Sequence, residues 1–240
     1  MTALCGAMLA VALTGTGCSA SVEMTKPSVV DRNAPAPVIG DGRDRRGSKS
    51  ASDWATHAEY VVAFTVVGEV RGEMLEEERE RQEGMISREV IVRVDRVLWE
   101  SPDDKEIAPV EIRFQAVGWV FNNNNGVGER PFAMGNAPRL ELGHSYVKAL
   151  DWEDDPCSSD PHDGDWHGLG AWGTIPFDNG ILGVGEIEGR VQDLRNYETQ
   201  EPSFREQMAG QSLDTLARAL NEAERRTSVP FDLSCDPEDQ

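Results

Sequence analysis

From Glu59 onward the hydrophobic and polar positions read as β structure. Tyr60–Val67 is a run of β-branched and aromatic residues, as expected of a strand covered on both faces. Val90, Val92 and Val94 fall on one side of a second strand while Arg93 and Asp95 face out, until Val97, Leu98 and Trp99 break the alternation. Val110-Glu111-Ile112-Arg113-Phe114 alternates strictly, and His144–Leu150 gives a fourth strand. Trp172–Phe177 and Ile181–Val184, separated by Asp178-Asn179-Gly180, predict a hairpin, because Asn-Gly tolerates the positive φ of a tight turn. Pro176 assigns the first arm of that hairpin to a sheet edge.

Between these runs lie polar segments. Glu73–Glu83 is nearly all Glu, Arg and Gln, with Glu77 and Arg81 four apart, which suits a solvated helix or a long polar loop. Asn122–Gly126 is a loop by composition. The chain closes with helix. Ser203-Phe204-Arg205-Glu206 has the spacing of a capping box, Gly210 punctuates it, and Ser212 caps a second helix with Leu213, Leu216, Ala217 and Leu220 as its apolar stripe. Arg225 and Arg226 are expected in its last turn, where cations suit the helix dipole. The class that follows is mainly β (α+β): a small OB-like barrel with a C-terminal helix packed on it.

The N-terminal pattern is of another kind. Leu4–Leu13 is uncharged and apolar, too short for a membrane-spanning helix but suited to the core of a secretory signal. Small residues then lead into Cys18, an arrangement that resembles the lipobox of bacterial lipoproteins, with Gly15 where such motifs usually carry an aliphatic. The resemblance implies that residues 1–17 are a signal peptide and that Cys18 is acylated, anchoring the chain to a membrane in the cell envelope. Residues 18–52, rich in Pro, Gly, Ser and Ala, are expected to form a flexible tether, and residues 53–240 a single domain.

Cysteine usage agrees with export. With Cys5 inside the signal and Cys18 acylated, Cys157 and Cys235 remain, and one disulfide is the economical reading, with two free thiols as the alternative. Charge narrows the partners. The net charge is −20, and residues 18–52 carry six bases against four acids, so the domain beyond them carries −22. So negative a field repels phosphate backbones and disfavours nucleic acid.

Candidate chemistry concentrates in residues 151–167, where seven carboxylates and two imidazoles fall within seventeen residues. Oxygen ligands there suit Ca²⁺, and His162 and His167 with a carboxylate suit Zn²⁺. The candidate ligands are Asp160, His162, Asp163, Asp165 and His167, but their spacing matches no EF-hand loop and H-E-x-x-H is absent. A solvated acidic loop stapled by Cys157 is the simpler expectation. Gly168–Gly173 spells G-x-G-x-x-G but is followed by β residues rather than a helix, so it is not a dinucleotide site. No histidine follows Ser212 to complete a hydrolase triad, and His57 and His144 stand isolated in sequence. Trp152, Trp166 and Trp172 flank the acidic stretch and are expected in a core or under a loop rather than in a binding ledge.

The order of strands, Tyr60–Val70, Val94–Trp99, Val110–Phe114 and Leu142–Val147, resembles exported bacterial proteins with a small OB-like barrel. More distantly it is similar to the netrin-like barrel of the tissue inhibitors of metalloproteinases. Those inhibitors use a disulfide-bonded cysteine at the mature N-terminus, whereas Cys18 lies some way ahead of the first strand. The expectation is therefore a non-enzymatic binding module for a protein, cell-envelope or small ligand. The alternatives are a cation-dependent binding protein or hydrolase using residues 151–167, and an inhibitor-like protein.

Overall fold

A computed structural model describes residues 35–42, 44, 46–103, 107–124, 126, 128–158, 160, 163–227 and 235. It is mainly β, built around one large mixed sheet. Helix α1 (Ala51–His57) precedes the long strand β2 (Tyr60–Arg71), and the short helix α2 (Glu76–Arg81) leads into β3 (Glu83–Glu100). Then come β4 (Glu111–Asn122), β5 (Gly128–Met134), β6 (Ser145–Asp154), β7 (Gly164–Gly168) and β8 (Thr174–Pro176). Counting β1 (Val38–Gly40), the strand order is β1-β5-β4-β3-β2-β6-β7, with β8 sharing the β6 edge. A separate hairpin, β9 (Val184–Ile187) and β10 (Arg190–Asp193), and helices α3 (Phe204–Gln207) and α4 (Leu213–Glu222) complete the chain.

The sheet is rolled. Three strand spacings of about 4.8 Å would separate β4 and β6 by about 14 Å in a flat sheet. Instead the Lys148 ammonium of β6 lies 5.5 Å from the Phe114 ring centroid of β4. Register shifts in the β2–β3 ladder at Val61/Val62, Ala63/Phe64 and Val66/Gly68 supply local bends. Another falls at Ile86/Ser87 opposite Gly118, where a Cβ would stand 2.4 Å from the Ile86 carbonyl oxygen, so only glycine fits. The roll stops short of closure. On its side away from β3, β4 bonds to β5 only from Trp119 to Asn122, and no ladder joins β4 to β7 among the described residues.

Period-two alternation sorts the strand residues onto two cores. Tyr60, Val62 and Phe64 of β2 join Val90, Val92, Phe114, Tyr146 and Leu150 inside the roll. Val61 and Ala63, with Trp99, Val147 and Ala149, face outward, where α1, α3 and α4 cover them through Trp54, Phe204, Leu216 and Leu220. Ser50 and Asp53 close a capping box at α1, Ser203 and Glu206 close the expected one at α3, and Ser212 caps α4.

Several expectations are corrected. Part of the 18–52 tether belongs to the fold: β1 pairs in parallel with β5, and the buried Ser48 accepts the Trp54 indole N–H at its carbonyl. The low apolar content there misled because that segment is held by backbone ladder bonds. The predicted 172–184 hairpin does not form. β8 pairs with β6 and β9 with β10, because Asp178–Gly180 makes a 3₁₀ turn with Asn179 at φ 56° that carries the chain away. Residues 151–154 are strand rather than loop. Arg225 and Arg226 lie beyond α4, Arg225 donating to the Ala55 carbonyl and the Ser101 hydroxyl. Glu77 and Arg81 are not the pair that forms on α2; Glu76 and Arg79 are.

One buried carboxylate fixes the segment between β5 and β6. Glu186, 1% exposed, accepts from the Arg139 amide at 2.8 Å, the Leu140 amide at 3.1 Å, the Gly189 amide at 2.5 Å and the Tyr146 hydroxyl at 2.7 Å. Leu140 is thereby held at φ 63°. The Arg139 guanidinium donates in turn to the carbonyls of Phe132 and Gly118, and its own carbonyl accepts from the fully buried Arg88. Burial pushes the Glu186 carboxyl up against the pull of these donors. Replacing Glu186 with Gln puts an NH₂ among four donors. We expect Glu186→Gln to cost about 1–3 kcal/mol in urea denaturation, against well under half of that for the exposed Glu201→Gln.

Candidate functional site

The unclosed edge of the roll holds a cavity of about 400 Å³. Its walls come from Arg113–Gln115 of β4, Met134–Leu140 after β5, Lys148 and Asp151 of β6, and Asp165–Gly168 of β7. Gly42, Asp44 and Arg46 of the strap that follows β1 form its rim. Asp44 secures the strap by accepting from the Ala171 amide at 2.9 Å and the Ser48 hydroxyl at 2.8 Å.

Strand alternation divides the polar groups around this cavity. The β6–β7 register sets Asp151 opposite His167 and Glu153 opposite Asp165 on one face, with Trp152 opposite Trp166 on the other. The two indoles meet edge to face at 5.3 Å, and Trp166 meets Tyr60 of the inner core at 5.6 Å. Lys148 shares the inner face with Tyr146 and Leu150, so Asp151 and Glu153 leave β6 in the opposite direction from the lysine.

Two of these groups titrate away from their ordinary values. Burial lifts the Asp151 carboxyl to about 6, opposed by Arg46, whose guanidinium stands 2.7 Å away. Burial lowers the Lys148 ammonium to about 8. Its Nζ donates to the Thr174 hydroxyl at 2.9 Å. A Cβ on Gly168 would lie 2.3 Å from Lys148 Cε and 2.5 Å from Nζ, so a larger residue there displaces the ammonium.

Cys157 and Cys235 form a disulfide with Cα atoms 5.1 Å apart, closing a loop of 78 residues. In the chain-entropy model such a closure contributes about 4 kcal/mol. Cys18 and His162 lie outside the described residues. Asp163, Asp165 and His167 line a second recess of about 290 Å³ with Glu153, Asp154 and Asp155, at the far end of the β6–β7 hairpin. Asp160 is not part of its lining; its carbonyl accepts the Asp163 amide in the connecting turn. Among the described residues, no three His, Cys, Asp or Glu side chains converge as a metal ion would need.

The sequence pattern placed Lys148 in the strand His144–Leu150 without marking it as a site residue. It also passed over the contact of His144 Nδ1 with Asp178 at 2.5 Å, which raises the imidazole pKa against burial. Only the odd placement of a lysine between Tyr146 and Leu150 hinted at the first. Trp172 stacks under the Arg205 guanidinium at 4.4 Å, away from the indole pair.

The chain matches no protein-family model, no curated protein and no solved structure. No helix among the described residues is long and apolar enough to cross a membrane.

The Asp151 carboxyl titrates near 6 when folded against 3.8 ordinarily, so the folded state binds the extra proton. Its contribution to stability is full below the lower value and is lost as pH rises through the higher one. Relative to the wild type, Asp151→Asn should therefore gain on the order of 1 kcal/mol between pH 4 and pH 7, read from denaturation midpoints across that range.

Proposed function

We propose that this chain is an exported, lipid-anchored binding protein, non-enzymatic, that holds a small amphipathic ligand in the cavity beside β4 and β7. The observation that carries the ligand reading is the shape and lining of that cavity. It has the size of a small-molecule site and combines an apolar wall of Phe114, Leu140 and Trp166 with charged and polar side chains such as Lys148, Asp151 and Arg46. A roll left open on one side suits this role, because the gap gives a ligand a way into the interior.

Export is supported by the signal-like residues 1–17, by Cys18 and by the Cys157–Cys235 bridge, a bond that persists in oxidising compartments. An acylated Cys18 would tether the acidic domain to the membrane through the chain that precedes β1. Stable anchoring takes more than one acyl chain, as such lipoproteins carry. The domain's strong negative charge keeps it clear of anionic lipid headgroups and makes nucleic acid a poor partner.

A second reading, a site for a divalent cation, has one observation in its favour: Glu153, Asp154, Asp155, Asp163, Asp165 and His167 line one recess, although no three of them converge in this structure. It requires a melting temperature that rises with Ca²⁺ or Zn²⁺ and returns with a chelator.

The anchor is tested by intact mass of the protein purified from its host. The expected species begins at Cys18, carries acyl chains and is two hydrogens lighter than the dithiol form. A chain that begins at Met1 without acyl groups sinks the anchored reading. Native mass spectrometry tests the ligand: a small molecule retained by the wild type should be absent from Leu140→Trp, whose indole occupies the cavity. Equal retention by both proteins counts against the cavity.

A further inference from the structure

Between Tyr146 and Trp152, Lys148 is the one charged side chain on the inner face of β6, where its neighbours Tyr146 and Leu150 belong to the core; Asp154 follows on that face only at the exposed end of the strand. A lysine that merely closed the core would be expected to carry a counter-ion, since a buried charge without one is costly. Among the described residues no carboxylate stands within ion-pairing distance of its Nζ, and burial is the sole cause of its displaced titration. The Thr174 hydroxyl accepts a hydrogen bond from one of its N–H groups, and the Phe114 ring faces it at 5.5 Å. Two N–H groups are left over beside an unfilled volume.

The surroundings hold the ammonium at this place. Gly168 leaves the room through which Lys148 passes, and any larger residue there would meet Cε and Nζ. The other cations at the cavity are already engaged. Arg46 is paired with Asp151, and Arg113 with Glu89 at 2.7 Å. Two carboxylates, Glu153 and Asp165, stand at the outer rim on the opposite face of the hairpin. A single unpaired cation inside and acids outside select against multiply charged anions.

We propose that the cavity takes a small monoanionic amphiphile, a carboxylate with an apolar body, whose charged end pairs with Lys148 while its body lies on Phe114, Leu140 and Trp166. This rests on the reading of the cavity as a ligand site and names the chemistry of that ligand. The carboxylate supplies the missing counter-ion and accepts the two free N–H groups. The apolar body displaces water from the aromatic wall, and Trp166 reports its arrival. A cationic or neutral amphiphile of equal length leaves the ammonium uncompensated.

Three probes of one chain length, octanoate, octanol and octylamine, separate the contributions when titrated by tryptophan fluorescence and calorimetry. In the wild type at pH 7 octanoate should bind about tenfold or more tighter than octanol, with octylamine weakest. Lys148→Met should retain octanol binding and lose the preference for octanoate. Gly168→Ala keeps the charge but displaces it, and should reduce the preference without abolishing octanol binding. Raising the pH from 7 to 9.5 neutralises the lysine, so octanoate affinity should fall about tenfold or more while octanol affinity holds. The other titratable and charged groups facing the cavity are Asp44, Arg46, Arg113, Asp151, Glu153, Asp165 and His167; the same pH series with octanoate on Lys148→Met isolates their contribution, and a fall of equal size in that variant overturns the assignment to Lys148. Equal binding of octanoate and octanol by the wild type, or a preference that survives in Lys148→Met, overturns the anion and leaves the ligand site standing. Binding of none of the three overturns the ligand site together with it.

Discussion

Everything that shapes the cavity depends on how the chain travels from β5 to β6, and that passage has no ladder of its own. Residues 135–144 are bonded at both ends to neighbouring strands, and at their middle the Glu186 carboxylate gathers two consecutive amides, a tyrosine hydroxyl and the amide of Gly189 into one buried cluster. Burying a carboxylate is unfavourable by itself, and four donors converging on two oxygens offset that cost. The arrangement fixes Leu140 in a left-handed conformation that no aliphatic side chain prefers. Leu140 thereby reaches the inner core, and Pro138 and Ala137 reach the cavity wall. Arg88 and Arg139 extend the same cluster across β3, β4 and β5, so a group of buried charges ties the site to the sheet.

The roll of the sheet supplies the volume, and its incompleteness supplies the entrance. Bulges along β2 and β3 bend the ladder until β4 and β7 line the same cavity, yet β4 spends only its last residues bonding to β5. The strap after β1 covers part of what remains, fastened through Asp44 and through the ion pair of Arg46 with Asp151. Polar groups on this strap and on the outer face of β6–β7 keep the rim acidic. Alternation puts Lys148 on the inner side, against Phe114. The site is thus defined less by which residues it contains than by which side of a strand each one leaves from.

Much of the inner architecture was legible in the sequence, because it is written in periods of two. Val90, Val92, Ile112 and Phe114 occupy the core positions that their alternation implied, and Ser203 and Ser212 cap the helices that their spacing implied. Helix α1 was missed although Ser50 and Asp53 announce its start, because seven residues give too short an apolar pattern to stand out. The 172–184 hairpin was misjudged for a related reason. Asn179 and Gly180 do adopt positive φ, but a turn residue states only that the chain bends, and β6 and β10 competed successfully for the strands on either side.

The chain by itself determined the class of fold, the acidity of the domain and the cysteines available for bridging, because each is a property of residue type or of local period. It did not determine where the sheet stops closing, nor that Lys148 and Phe114 would meet across two intervening strands. Those follow from the sum of several small bends and from one buried carboxylate drawing distant segments together. Such sums over non-local contacts have no signature in any short stretch of sequence, so the cavity and its inward lysine were decided by tertiary structure.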